Sequence, residues 1–377
     1  MSMRTANFRG VGFLVLACSL VALAGCEPPP VESRQIHFRG LGMEEVSTRR
    51  ELAAKAEANR PPASLPPVNP ANIPASQLFQ NLQVVGHVDA AEFTRLMGSI
   101  TAWVSPQQGC AYCHAGSNFA LDDVYTKSVA RRMLQMTIEI NTQWKDHVGD
   151  TGVTCYTCHR GNAVPTQHWT KPTEPRKARG PAGGKAGQNQ PAMLVGLTSL
   201  PTDPFSAYLL GDMPVRLQST EALPSGNRSS IKQAEWTYGF MMHISTALGV
   251  NCGHCHNSRS FGPWEASTPA RVKAWHGIQM VRSLNQSYLE PLAGILPAAR
   301  RGPHGDAFKI NCATCHQGAS KPLLGVSMLA DHPELATSAP PPAATPAPTD
   351  PAAQPPVEGD AAPPAVSASE EPEAVRS

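Results

Sequence analysis

The chain has 377 residues, with 31 Lys and Arg against 29 Asp and Glu, 37 prolines, 30 glycines and 10 cysteines. A formal charge of +2 gives none of the basic excess that nucleic-acid binding draws on, and the proline and glycine content excludes regular elements throughout. Cysteine usage leaves no set for a disulfide framework: apart from Cys18 and Cys26, every cysteine falls in one repeated five-residue pattern.

Arg4 and Arg9 precede an apolar stretch, Val11 to Ala24, which has the length of a signal-peptide core and is too short to span a bilayer. It ends Leu23-Ala24-Gly25-Cys26, which resembles the bacterial lipoprotein cleavage box. That implies export, loss of residues 1–25 and lipid on Cys26; an uncleaved anchor helix is the alternative. One acyl chain is a marginal anchor, and two or three hold firmly. With Arg4 and Arg9 counted to the leader, the 29 acidic residues are matched by as many basic ones.

Residues 26–89 are Pro-rich and polar, with Pro28-Pro29-Pro30, Pro61-Pro62 and Pro66-Pro67. They predict an extended arm that builds no core, with one short helix over 44–59 where strong helix formers gather. Residues 90–104 read as a helix, because Phe93, Leu96, Met97, Ile100 and Val104 recur at three and four, and Pro106 stops it. The first repeat, Cys110-Ala-Tyr-Cys113-His114, follows. A second helix, over about 121–148, carries Met133, Met136, Ile140, Trp144 and His147, and leads to Cys155-Tyr-Thr-Cys158-His159.

Residues 162–195 form a Pro/Gly-rich linker, after which the order repeats. A helix over 232–248 precedes Cys252-Gly-His-Cys255-His256. Pro269 opens a helix to about residue 292, and Cys312-Ala-Thr-Cys315-His316 follows. Residues 338–377, with eleven prolines and no aromatic, predict a disordered tail.

Cys-Xaa-Xaa-Cys-His is the attachment pattern of c-type haem. Two thiols on one turn form thioethers to the vinyl groups, and the next residue presents an imidazole to the iron. Zinc also favours paired cysteines, and one such pattern can arise by chance. Four, each with His directly after the second Cys, point to four covalently bound haems. Cys110, Cys113, Cys155, Cys158, Cys252, Cys255, Cys312 and Cys315 would carry them, with His114, His159, His256 and His316 as proximal ligands. The fold class expected is mainly α with much irregular structure, a multihaem cytochrome c with two pseudo-repeated halves, 90–161 and 196–337, each holding two haems. The haems themselves would form part of the core.

A six-coordinate haem needs a second ligand, with Met giving a higher potential than a second His. Met97 lies 13 residues before Cys110, and Met241 lies 11 before Cys252. A Met at helical spacing is ordinarily core packing. Met242 beside Met241, Met136 one turn from Met133, and Met280 in the second half stay open as rivals.

The chain resembles the tetrahaem cytochrome subunit of the purple-bacterial photosynthetic reaction centre. The resemblance covers about residues 34–335. It rests on the four sites in this order, on Trp236-Thr237-Tyr238-Gly239-Phe240-Met241-Met242-His243 and Ser267-Thr268-Pro269-Ala270-Arg271, and on Phe38-Arg39-Gly40-Leu41-Gly42-Met43, where Tyr more often precedes the Arg. It implies Met97, Met133 and Met241 as distal ligands of the first three haems, and His147 reaching across to the fourth. It also implies an electron carrier, not an enzyme, bound to reaction-centre core subunits on the periplasmic face of the photosynthetic membrane. Electrons would pass from a soluble c-type cytochrome or a high-potential iron–sulfur protein to the photo-oxidised bacteriochlorophyll pair, with the third haem nearest that pair and the first outermost. The linker and tail match the family pattern poorly.

Two other readings differ in class. A multihaem periplasmic oxidoreductase would need one iron with an open position beside acid–base residues, whereas ligand candidates exist here for all four. A small tetrahaem quinol oxidase would use a transmembrane anchor, against which the Cys26 box speaks. Arg131-Arg132, Lys171, Arg176-Lys177-Arg179 and Arg300-Arg301 are either solvated surface or partners for haem propionates.

Overall fold

The computed structural model describes residues 30–35, 44–173, 200–201, 203–217 and 231–337. They belong to one unit, Met1–Ala339. The leader with Cys26, the segment Phe38–Met43, most of the linker and the tail lie outside the described residues.

Val31–Gln35 (β1) and Glu44–Thr48 (β2) pair antiparallel, Val31 opposite Thr48 and Gln35 opposite Glu44. The helix expected over 44–59 therefore starts later, as Arg49–Ala58 (α1). Thr48 fixes that start. Its hydroxyl accepts from Glu51 N at 3.1 Å while the Glu51 carboxylate accepts from Thr48 N at 2.8 Å, a reciprocal capping box.

The arm does build core, contrary to expectation. Ala75, Val84, Val85 and Val88 are buried in one cluster with Phe93, Leu96 and Trp103. Small apolar residues scattered among polar ones hid this in the sequence. Backbone bonds fold the stretch back on itself, with Ala75 N donating to Val88 O at 2.7 Å and Ala90 N to Ile73 O at 2.9 Å. The Asp89 carboxylate gathers Ala71 N (3.0 Å), Asn72 N (2.7 Å) and Ala91 N (2.9 Å), and so caps the helix Ala90–Val104 (α2). One stripe of α2, with Phe93, Leu96 and Trp103, faces that cluster; Met97, Ile100 and Val104 line a cavity on another side.

The next helix is shorter than expected. It spans Tyr125–Gln143 (α3), breaks at Trp144, whose φ is −111° and ψ 33°, and resumes as the single turn Lys145–Val148 (α4). Leu134 and Ile138 of α3 pack in the first cluster, Met136 and Ile140 in a second. So α3 is the spine between two cores. Leu323, Met328 and Leu335, from the far end of the described chain, complete the first cluster.

Ile231–Leu248 (α6) and Pro269–Leu284 (α7) follow the short helix Cys155–His159 (α5). Proline at the first turn of α7 loses no helix bond, because that N–H has no partner inside the helix. The helix expected to reach residue 292 ends at Leu284 and continues as a wide turn, Asn285–Leu289, and a tight one, Glu290–Gly294. Asn285 accounts for the change: it turns inward, its amide donating to Leu209 O (3.1 Å) and Ile310 O (3.0 Å). The second cluster gathers Phe205, Tyr208, Phe240, Ile278, Met280 and Leu284. Side chains of this size contribute about 1.5–3 kcal/mol each when fully buried.

Sheet is minimal. His168–Trp169 (β3) pairs antiparallel with Lys309–Ile310 (β4), just before the last short helix, Cys312–His316 (α8). The helix-rich, irregular fold class agrees with expectation. Among the described residues no helix is long and apolar enough to cross a membrane.

Candidate functional site

The four Cys-Xaa-Xaa-Cys-His segments adopt two local forms. The first and third lie on tight turns, Gly109–Tyr112 and Cys252–His254. The second and fourth are the short helices α5 and α8. The left-handed residues Arg160 (φ 49°) and Gln317 (φ 46°) end them.

Within each form the supporting bonds match. Thr126 Oγ1 donates to Tyr112 O, and Thr268 Oγ1 donates to His254 O at 2.5 Å. Gly161 N donates to Trp103 O and Gly318 N to Ala247 O, both at 2.8 Å, so α5 leans on α2 as α8 leans on α6. Asn141 Oδ1 accepts from Val153 N at 2.8 Å, and Asn285 Oδ1 accepts from Ile310 N at 2.9 Å. Each of these asparagines reaches the segment two residues before a motif's first cysteine. Sequence reasoning passed over both, because an isolated Asn in a helical stretch carries no motif.

The four histidines share one arrangement. Nδ1 of His114, His159, His256 and His316 lies 3.1, 2.8, 3.0 and 2.9 Å from the backbone oxygen of Phe119, Asn162, Phe261 and Ala319. A carbonyl accepts only, so Nδ1 carries the proton and the Nε2 lone pair is left for a metal. Burial favours the same neutral form: it lowers the pKa of all four and brings His316 down to about 4. Burial also pushes the Cys155 and Cys312 thiols up to about 12 and Cys255 to about 11. These sulfurs are held as thiols, unlike the depressed-pKa thiolates of catalytic cysteines.

A cavity of about 640 Å³ joins the first two motifs. Cys110, Cys113 and His114 line one part of it; Cys155, Cys158 and His159 line another. Met97 from α2 and Met133 from α3 also face it, as does Met136, so the choice between the last two stays as the sequence left it. Met241 is packed at the margin of the second cluster, and Met280 is buried within it.

His147 meets the fourth motif. Its ring centre lies 6.0 Å from that of His316, and its Nδ1 is 2.8 Å from Lys273 O, the same tautomer lock that the motif histidines have. Gly277 of α7 makes room for it: a Cβ there would stand 2.5 Å from His147 Cε1. Glycine inside a helix costs about 1 kcal/mol against alanine, which was the available sign of this close approach.

Cys158 and Cys315, the second cysteines of two motifs, stand side by side, Cα to Cα 4.5 Å, because α5 abuts α8 and each bears its second cysteine on the shared side.

The residues fit covalently held haem. Apolar walls of Ile100, Val104, Val129 and Leu134 surround the cavity. Away from the cavity lining, the buried atoms Arg132 Nε, Trp144 Nε1, Arg216 Nε, His243 Nε2, Glu290 Oε1 and Asp306 Oδ1 have no hydrogen-bond partner among the described residues. Of the arginines considered for haem propionates, Arg131 and Arg300 line the cavity; Arg131 pairs with Asp122 at 2.8 Å, and Arg301 Nε bonds Leu296 O at 2.7 Å. Arg176, Lys177 and Arg179 lie outside the described residues. Among the described residues no group of three or more His, Cys, Asp or Glu converges as a bare metal ion would need.

The profile of the family described as photosynthetic reaction centre cytochrome c subunit matches residues 27–336. The chain is 50% identical over 339 residues to the photosynthetic reaction center cytochrome c subunit of Rubrivivax gelatinosus, covering 89% of this chain and 92% of that one. It is 46% identical over 326 residues to the protein of the same name from Thermochromatium tepidum, covering 86% and 80%. A third, from Roseobacter denitrificans, is 41% identical over 279 residues, covering 71% and 75%. The chain belongs to the photosynthetic reaction centre cytochrome c subunit family.

Proposed function

We propose that this chain is a lipid-anchored electron carrier bound to the reaction-centre core, returning electrons from a soluble periplasmic donor to the photo-oxidised bacteriochlorophyll pair. Membership of the family carries covalent c-type haem and electron transfer with it. The reading goes further in its count of four haems, in the ligand at each iron, in the donor (a small c-type cytochrome or a high-potential iron–sulfur protein) and in the acylated Cys26. Covalent haem supplies one-electron exchange without bond chemistry; the chain's own residues hold, orient and insulate it.

The observation that carries the reading is the repeated tautomer lock. Four histidines follow four cysteine pairs, and each binds a carbonyl through Nδ1, which leaves Nε2 free. Matched bonds at Thr126 and Thr268, at Gly161 and Gly318, and at Asn141 and Asn285 support two pseudo-repeated halves, 90–161 and 196–337. The contact of α5 with α8 supports a path that enters at the first motif, crosses between the second and fourth, and leaves at the third.

Distal ligands are assigned as Met97, Met133 and Met241, with His147 for the fourth iron. A metal–imidazole bond is about 2 Å and the ring centre lies ~1 Å behind its nitrogen, so two imidazoles on one iron stand about 6 Å apart. The 6.0 Å between His147 and His316 matches that spacing. The duplication rival, Met280, sits in the apolar core among Phe205 and Tyr208.

Intact mass of the membrane-extracted protein tests this. The expected mass is that of the chain from Cys26, four haems and acyl groups; a mass short of four haems, or a soluble unacylated chain, overturns the corresponding part.

A further inference from the structure

Lys127 has an unusual position. It is 8% exposed, on the first turn of α3, and its ammonium group donates to Phe119 O (2.9 Å), Ala120 O (2.9 Å) and Leu121 O (2.7 Å). Phe119 O is also the acceptor for His114 Nδ1, at 3.1 Å. One carbonyl thus serves both a proximal histidine and a buried cation. Asp122, 3.0 Å from the same Nζ, partly balances the charge and also binds Arg131 at 2.8 Å.

Among the described residues the other three sites lack this sharing. At the third, Arg271 Nη1 bonds the following carbonyls, Gly262 O (3.0 Å) and Pro263 O (2.9 Å), and passes by Phe261 O. At the second and fourth the acceptors are Asn162 O and Ala319 O, to which no lysine or arginine donates among the described residues.

We infer that Lys127 tunes the first haem, raising its reduction potential through the Phe119 carbonyl that His114 also uses. A carbonyl oxygen has two lone pairs, and a cation on one draws density from the other. The bond from His114 Nδ1–H is thereby weakened, and a proximal imidazole with a weaker outer partner is a poorer electron donor to iron. Ferric iron is then less well stabilised. The buried positive charge acts in the same direction, because it repels the extra charge of the ferric state in a low-dielectric surrounding. Lys127 is therefore a positioning residue that acts through His114 and touches no iron. This rests on the proposed assignment of His114 to the first haem.

The test is a spectroscopic redox titration of the complete, membrane-extracted protein and three variants. Wild type first establishes the four one-electron waves; fewer waves would count against the proposed function and not against Lys127. In Lys127→Met the reduced-to-oxidised ratio of one haem, read at its wild-type midpoint, is expected to fall about tenfold, which is ~59 mV for a one-electron couple. Lys127→Arg, which keeps the cation, is expected to restore most of it. Asp122→Asn, which leaves the ammonium less balanced, is expected to shift the same wave upward. The other three waves stay put in every case. A merely structural lysine would not move one wave down in one variant and up in another. The inference fails if the wave is unmoved in Lys127→Met, or if all four move together. Should Lys127→Met lose the first haem, Asp122→Asn decides alone, and a first wave that is unmoved or lowered there overturns the inference.

Discussion

Replacing Gly277 by alanine should detach His147 from the fourth iron. The methyl carbon would stand 2.5 Å from His147 Cε1, 2.8 Å from Nδ1 and 3.0 Å from Nε2. Carbon atoms meet without strain at about 3.5–4.0 Å, so the ring must retreat by roughly 1 Å. A metal–ligand distance tolerates about 0.2 Å. The ring cannot simply turn in place, because Nδ1 is tied to Lys273 O at 2.8 Å. Such overpacking costs about 1–3 kcal/mol, offset by about 1 kcal/mol of helix propensity when glycine becomes alanine. The protein should therefore fold and bind its haems while one iron loses its distal ligand. Optical and electron-paramagnetic spectra of the oxidised variant should show one new high-spin centre. Four unchanged low-spin centres with unchanged potentials would refute the placement of His147 on iron.

Other variants probe separate parts of the account. His147→Met should raise one midpoint and keep four haems, whereas Met280→Leu, a volume-conserving change in the core, should cost under ~1.5 kcal/mol and move no potential; a redox titration in which Met280→Leu shifts a haem more than His147→Met does reverses the assignment. Removing both Cys312 and Cys315 should lighten the intact protein by one haem, and an unchanged mass would defeat the covalent assignment. Asn285→Ala strips three bonds from a fully buried amide, with Leu209 O, Ile310 O and Ile310 N. It should lower stability by about 2–4 kcal/mol, read as an earlier denaturation midpoint; an unshifted midpoint would show those bonds to be replaceable. Cys26→Ser should abolish incorporation of labelled fatty acid, and label still entering the variant would put the lipid elsewhere.

Covalent c-type haem, which membership of the family carries with it, was legible in the sequence because its signature is local. Attachment needs two thiols and an imidazole within five residues, a pattern readable without tertiary context. Helix α2 was legible to its ends, since a clear apolar period runs up to the stop at Pro106. What stayed hidden depends on distant partners. The break at Trp144 and the wide turn at Asn285 interrupt good helical periods, and the second is explained by carbonyls far along the chain. Residues 74–89 looked like an arm because Ala75 and Val84, Val85 and Val88 are sparse, and their burial needs Leu323, Met328 and Leu335 from the other end. The adjacency of Cys158 and Cys315, separated by 157 positions, has no sequence sign at all. Lys127 reads as one cation among many until its three carbonyl acceptors are seen.

The proposed function stands or falls with electron transfer from this chain to the oxidised pigment pair. Flash absorption on isolated membranes tests it most directly, following the pigment band and the c-type haem α-band together after one saturating flash. Haem oxidation should appear with the time course on which the pigment band recovers, and that phase of recovery should be lost, together with the haem signal, when the haems are oxidised beforehand. Recovery of the pigment with no matching change in the haem band would contradict it.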